Sequence, residues 1–570
     1  MPSLLSNQPV TDAERRANDK HRHAIVALAL LVIGVYVYCF TLVSAPVDLL
    51  PAQLAERADL SLEHVLDSDG NIDSTISILM AQEFGSNDDE RLVFFGILAL
   101  AFLSSYYLPL AWKQPALVAW TTLGIATLYG VPAMAGLLAA HLCVFLVLHP
   151  GRRPGVAALV GALAVVVMPS YPEGPLATWL LLIGLSVACA LVYVYALVPL
   201  LARPRVARVL QFATVHAAVV FIGVSLALEA FTGDALDLSL AALLFFWQWA
   251  RLAMYHVDHA DGQVPADITP VGYLSVFVSP GVIPNWSWGV TIGQGYAYLQ
   301  GKFLCEDKNR IVLAGIRLML IALLYLVLWR WVHALLVSAA QSGGIEVFGG
   351  YTRRMVRAFS RGVDVGTVSV LATTLLDLVR FMMFLAGVMH FKVAIWRLCG
   401  YHVDPYYDKP WLATNLMAFW TRFAFHYREF LVRVFYYPVF FRAFRRHRTL
   451  RIVAASMAAA ALGNFIWHVT ERSFFREPDF DALLYVFGTW PYFVLLGAGI
   501  AVSQVFLLQR RRTRKPWTRD RWFVVDVVAA YVTMQYFALI HIFARPSGDA
   551  TVADMTWLFL RAFGIEGGGR

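Results

Sequence analysis

A histidine inside an apolar stretch is the residue on which this sequence can most readily build chemistry. His468 closes the run Gly463-Asn464-Phe465-Ile466-Trp467-His468. A titratable group within an apolar span is costly and marks a functional position by default. Imidazole titrates near neutral pH and can take the proton of an attacking hydroxyl. The bland alternative is a histidine bonded to a neighbouring helix or reaching the membrane interface. Asn464 lies one turn earlier on the same helix face. Its amide can orient His468, orient a donor carbonyl, or simply join two helices.

Other groups carry chemistry less sharply. Arg442, Arg445, Arg446, His447 and Arg448 form a basic cluster suited to phosphates of a coenzyme A-like donor. A cytoplasmic anchor is the better explanation of such a cluster. His256-Val257-Asp258-His259-Ala260-Asp261 has metal-ligand residue types, but no supporting motif. A helix-end loop is the better reading there, and no metal is expected. The sequence contains neither a phosphate-cradling Gly-rich loop nor a G-x-S-x-G element.

Upstream of His468 the chain reads Lys409-Pro410-Trp411-Leu412-Ala413-Thr414-Asn415, then Phe419-Trp420-Thr421-Arg422, and closes with Tyr436-Tyr437-Pro438. This resembles the signature of the membrane-bound O-acyltransferase family. There a P-[YW]-L-A-T-S-like start leads to F-W-x-R-W-H and an aromatic run ending in Y-I-P-L. Phe419 to Pro438 matches without a gap, and the family's following L-W-H-like element is matched by Ile466-Trp467-His468. The resemblance covers 405–470 and is only architectural elsewhere. It implies His468 as the essential residue. Asn464 joins it as a catalytic candidate, and Trp420, Arg422, Trp467 and Asn415 as substrate-binding candidates. Trp420 and Arg422 either support a cavity or serve the fold. The sequence departs from the family at Phe423-Ala424, where Trp-His is expected. His426 follows two positions later, which rotates a helical side chain by about 200°. It is therefore not expected to replace the missing histidine.

These residues must be positioned by membrane-spanning helices. Of the 570 residues, 59% are hydrophobic and 15% charged, against about 25% charged in soluble proteins. The net charge of +8 does not signal nucleic acid, because the basic residues fall in short clusters between apolar runs. A span needs about 20 apolar residues. The candidates are 24–43, 92–110, 116–130, 131–148, 155–170, 176–201, 209–231, 238–256, 311–337, 367–390, 450–469, 482–508 and 522–543. The expected fold is an all-α polytopic bundle of roughly 11–14 spans with irregular or re-entrant segments. Residues 1–570 read as one integral membrane domain. Two stretches fit no simple span, 257–310 and 391–449. Non-helical backbone at membrane depth must be buried in protein or line a cavity, so a site is expected there.

Arg15, Arg16, Lys20 and Arg22 precede the first span, and 44–90 is an acidic loop. The positive-inside rule then places the N-terminus in the cytoplasm and 44–90 outside it. Arg353, Arg354, Arg357 and Arg361 disagree and would lie outside. Either a span is miscounted there or the segment is an amphipathic surface helix. On this topology His468 sits about 27 Å along a helix starting at Leu450, at 1.5 Å per residue, in the outer half of the membrane.

The resemblance implies a membrane O-acyltransferase. Its expected donor is a thioester such as acetyl-CoA or another acyl-CoA, and its acceptor a hydroxyl of an exported polysaccharide or cell-envelope polymer. A periplasmic partner protein is a possible relay for the acyl group. An Arg- and Ala-rich composition points to a GC-rich bacterium and hence to the inner membrane. Acylation of a lipid or protein is the alternative within enzymes. A transporter is the alternative outside them, although transporters carry paired repeats that this sequence lacks. The topology makes a direct prediction in a background without native cysteines. A cysteine at Asp69 is labelled from outside intact cells, and one at Thr513 is spared. The reverse pattern overturns the orientation.

Overall fold

The computed structural model describes residues 20–39, 88–151, 153–167, 175–217, 248–278, 293–305, 307–475, 488–510, 523–544 and 550–565. Among them the chain is an all-α helical bundle. Seven described helices are long and apolar enough to cross a membrane, including Val131–Leu148, Lys308–Ser342, Thr367–Leu398, Trp490–Leu508 and Val524–Ala544. Shorter apolar helices run over Arg22–Val37, Arg91–Tyr107 and Pro154–Val167. The protein is therefore a multi-pass membrane protein. The acidic loop 44–87 and the basic loop 511–522 lie outside the described residues, as does most of the expected span 209–231, whose described helix covers Pro204–Val215.

The two longest helices organise the rest. Lys308–Ser342 is about 52 Å long at 1.5 Å per residue, longer than a hydrocarbon core of ~30 Å. It packs antiparallel on Thr367–Leu398: Gly315 meets Ala394 and Leu398, while Gly387 meets Leu326. Apolar side chains gain little from meeting each other in lipid, so such helices associate through close approach at small residues. A Cβ at Gly387 would lie 2.8 Å from Cγ of Leu326. The arginines of 353–361 fall on a short amphipathic helix, Thr352–Ser360, which buries Met355 and Val356 and leaves Arg353 exposed.

Helix Thr367–Leu398 runs past the expected end at 390. It stops at Gly400, whose φ of +92° is open mainly to glycine. The Tyr401 N–H donates to the Trp396 carbonyl at 2.9 Å, the reach-back bond of a helix C-terminus. The non-helical part of 391–449 is thus narrower than expected. It comprises 399–415, which holds one 3-10 turn at Pro410–Leu412, then Ala424 and 443–447; between them lie helices Leu416–Phe423 and Phe425–Leu431, a π-helical turn Val432–Tyr436 and helix Tyr437–Arg442. Similarly 257–310 contains helices Pro270–Phe277 and Tyr296–Lys302.

The packing of the long pair predicts that Gly387→Val lowers the melting temperature in detergent, at about 1–3 kcal/mol for overpacking. Adding Leu326→Ala should recover part of that loss. A Gly387→Val protein with wild-type melting refutes the close contact.

Candidate active site

The backbone of 399–415 leaves the helical ladder and must find partners within the protein. Arg397 donates to the Val403 carbonyl from Nε at 3.2 Å and from Nη2 at 2.9 Å. The Asp404 N–H donates to the Tyr298 hydroxyl at 2.8 Å, and that hydroxyl donates to Asp404 Oδ2 at 2.8 Å. Lys302 pairs with the same carboxylate at 3.1 Å. His426 Nε2 bonds the Asp404 carbonyl at 2.9 Å, and its Nδ1 bonds Gln294 Nε2 at 2.9 Å. A Cβ at Gly293 would sit 1.3 Å from the His426 carbonyl oxygen, so only glycine lets these two backbones touch. Burial raises the Asp404 carboxyl, but Lys302 and the Tyr298 hydroxyl outweigh it and hold the group below its ordinary value.

The loop delivers the chain to Asn415, whose Oδ1 accepts from the Ala418 N–H at 2.8 Å and caps helix Leu416–Phe423. The helix then breaks at Ala424, with φ −147° and ψ 57°. This corrects the expectation of a continuous helix, so the 200° rotation does not apply to His426. That side chain is nonetheless buried against Gln294 and Asp404, and it is absent from the cavity wall described next.

A cavity of about 670 Å³ lies between the segment 417–440, helix Arg448–Val469 and helix Trp490–Leu508. The wall helix carries a π-helical turn at Met457–Gly463, where Ala459 and Ala460 leave room. Such turns occur often at functional sites. Arg448 and Arg451 line the cavity from the start of helix Arg448–Val469, and Arg428 lines it from the facing segment, beside the Tyr427 that bonds Asn464. Asn464 and Trp420 lie on the same wall. The indole N–H of Trp420 and the Nε–H groups of Arg428 and Arg451 are buried without a hydrogen-bond partner among the described residues. A buried donor left unmatched costs ~1–3 kcal/mol. Arg428 is ion-paired with Glu429 and donates from Nη1 to Thr421 Oγ1 at 2.8 Å, while the Arg451 guanidinium stacks 4.4 Å over the Phe440 ring.

The structure distributes the sequence candidates unevenly. Asn464 is 1% exposed, and its Oδ1 accepts from the Tyr427 hydroxyl at 2.7 Å. His468 is one turn further along, about 6 Å. It is half-buried, with its ring 5.4 Å from that of Phe493, and lies beyond the described cavity wall. Trp467 is buried among Trp249, Tyr427 and Phe430 rather than at the cavity. Arg422 reaches the Asp408 carbonyl at 3.4 Å, and Asn415 is the helix cap, so both serve the loop. Of the basic cluster, Arg448 alone lines the cavity, while Arg442, Arg445, Arg446 and His447 are exposed. The His256–Asp261 run is drawn into protein contacts: Asp258 pairs with Arg433 at 2.7 Å and accepts from the Ala297 N–H at 3.0 Å. Sequence reasoning missed Arg428, Arg451 and Gln504. Gln504 and Arg451 sit inside expected spans, where a polar residue is itself the signal.

No protein-family model matches this chain, and no characterised protein does either.

The loop hub makes a pH prediction. Burial pushes the His426 imidazole down to about 4, against the upward pull of Asp404. The unfolded chain takes up this proton near 6.5 and the folded one only near 4. The group's contribution is therefore complete above pH 6.5 and is lost as pH falls from 6.5 to 4. His426→Gln should melt lower at pH 7 and lose less stability between pH 6.5 and 4 than wild type. Equal pH slopes by differential scanning fluorimetry would remove His426 from this account.

Proposed function

We propose that the protein is a membrane-bound O-acyltransferase. The observation that carries the reading is the cavity, whose wall helix has Arg448 and Arg451 at its start and Asn464 further along, one turn short of His468. The resemblance of 405–470 to that family supports it independently. The donor is a thioester, acetyl-CoA or another acyl-CoA, with its phosphates at Arg448 and Arg451 and its acyl end toward Asn464. Guanidinium groups suit phosphate oxygens through directed, charge-assisted hydrogen bonds. No metal is needed in this scheme.

His468 Nε2 or Nδ1 takes the proton of the acceptor hydroxyl as its oxygen attacks the thioester carbonyl carbon. The C–S bond then breaks, and the departing thiolate takes the proton back from the imidazolium. The products are an ester and a free thiol, and the imidazole returns neutral. The acceptor is a hydroxyl of an exported polysaccharide or cell-envelope polymer. The protein lies in the inner membrane with its N-terminus in the cytoplasm. Donor then comes from the cytoplasmic end, at Arg448 and Arg451, and the acceptor or a periplasmic acyl-transfer partner meets it from the other side.

The test uses purified protein and acetyl-CoA, with free CoA as the readout and water as the acceptor hydroxyl. Removing a general base costs typically 10²–10⁴-fold. His468→Ala and His468→Gln should both lose CoA release on that scale, while acetyl-CoA affinity and detergent melting stay near wild type. A Gln variant that retains substantial release makes His468 a positioning group only. Normal release by both variants refutes the mechanism.

A further inference from the structure

We propose that Tyr427 is a positioning residue that sets the polarity of the Asn464 amide, turning its NH₂ end into the cavity to bind the carbonyl oxygen of the donor. The inference rests on the acyl-transfer reading above and adds to it a group that neither the motif nor the histidine accounts for.

Four observations carry it. The Tyr427 hydroxyl donates to Asn464 Oδ1 at 2.7 Å. Both side chains are almost fully buried, Asn464 at 1% and Tyr427 at 2%. Asn464 lies on the cavity wall and Tyr427 does not, so the tyrosine sits behind the amide. The tyrosine ring is itself fixed, 5.8 Å from the Trp467 ring and 6.3 Å from those of Trp420 and Phe430.

An amide has an acceptor end and a donor end of nearly equal shape. With its oxygen engaged by an O–H donor, the end left for a ligand is the NH₂. That polarity matters for acyl transfer. The carbonyl oxygen gains negative charge as the tetrahedral intermediate forms, and an N–H aimed at it stabilises that charge. The opposite orientation would set two acceptor oxygens against each other. Asn464 also opens the regular helix directly after the π-helical turn Met457–Gly463 and lies one turn before His468. Base and oxyanion donor are thereby carried on one helix face, with Tyr427 on the facing segment holding the donor's orientation.

The alternative is that the Tyr427–Asn464 bond only joins two helices. The two accounts separate in a double-mutant cycle read by CoA release from acetyl-CoA. Tyr427→Phe removes one oxygen and keeps the ring. We expect kcat to fall by about tenfold or more, within the range for a weakened oxyanion donor, with KM for acetyl-CoA changed less than about twofold. Asn464→Leu should lose at least as much, and Tyr427→Phe combined with Asn464→Leu should be no worse than Asn464→Leu alone. A Tyr427→Phe protein with wild-type kcat and lowered melting temperature overturns the proposal, as do losses that multiply in the double variant. If Tyr427→Phe fails to fold, wild-type kcat in Asn464→Leu still overturns it. A wild-type protein that releases no CoA at all overturns the acyl-transfer reading itself, a result distinct from any of these.

Discussion

Buried peptide groups that leave a helix must find new hydrogen-bond partners, and the structure around 399–415 is built on that constraint. Charged and polar side chains are spent on backbone atoms there. Arg397 holds the Val403 carbonyl, Tyr298 takes the Asp404 N–H, and His426 takes the Asp404 carbonyl. Lys302 keeps the Asp404 carboxylate charged and paired. Because these partners come from distant parts of the chain, the loop ties 293–302 to the end of helix Thr367–Leu398 and to the segment after Ala424. The cavity wall begins where that tied segment ends, at Met417.

The cavity itself depends on departures from ideal helix geometry. The facing segments Val432–Tyr436 and Met457–Gly463 are both π-helical. They approach each other because a Cβ at Gly463 would lie 2.7 Å from the Phe435 ring. Ala459 and Ala460 then leave space where larger residues would fill it. Aromatic rings close the back of the site. Trp467 stacks on Trp249 with centroids 6.2 Å apart, and Phe430 packs on both.

Position along a single helix explains how chemistry is arranged in such a site. Arg448 and Arg451 stand at one end of helix Arg448–Val469, Asn464 lies further along, and His468 one turn beyond it. On the proposed reading, one helix fixes the separation between the phosphate-binding arginines and the reacting histidine better than a loop would. In the proposed reaction Tyr427 adds the direction that a helix cannot set, namely which end of the Asn464 amide faces the donor.

Much of this was legible in the residues alone. Apolar run length revealed most of the described spans, because a bilayer imposes one length on every crossing helix. A polar residue inside such a run is expensive wherever it sits, so Asn464 and His468 stood out without coordinates. The arginines at 353–361 conflicted with the charge rule, which left a miscounted span or an amphipathic helix, and the structure has the helix Thr352–Ser360. Tertiary structure alone decided the rest. The break at Ala424 turned His426 toward Gln294, and no local pattern encodes that partner, 132 residues away in sequence. Asn415 became a helix cap and Arg422 a loop brace because their nearest partners were backbone atoms of their own segment. Arg428, Arg451 and Trp420 share one void only because three segments converge on it. Side-chain type and spacing reflect local cost, which sequence carries; which buried donor meets which acceptor depends on packing between distant helices, which it does not.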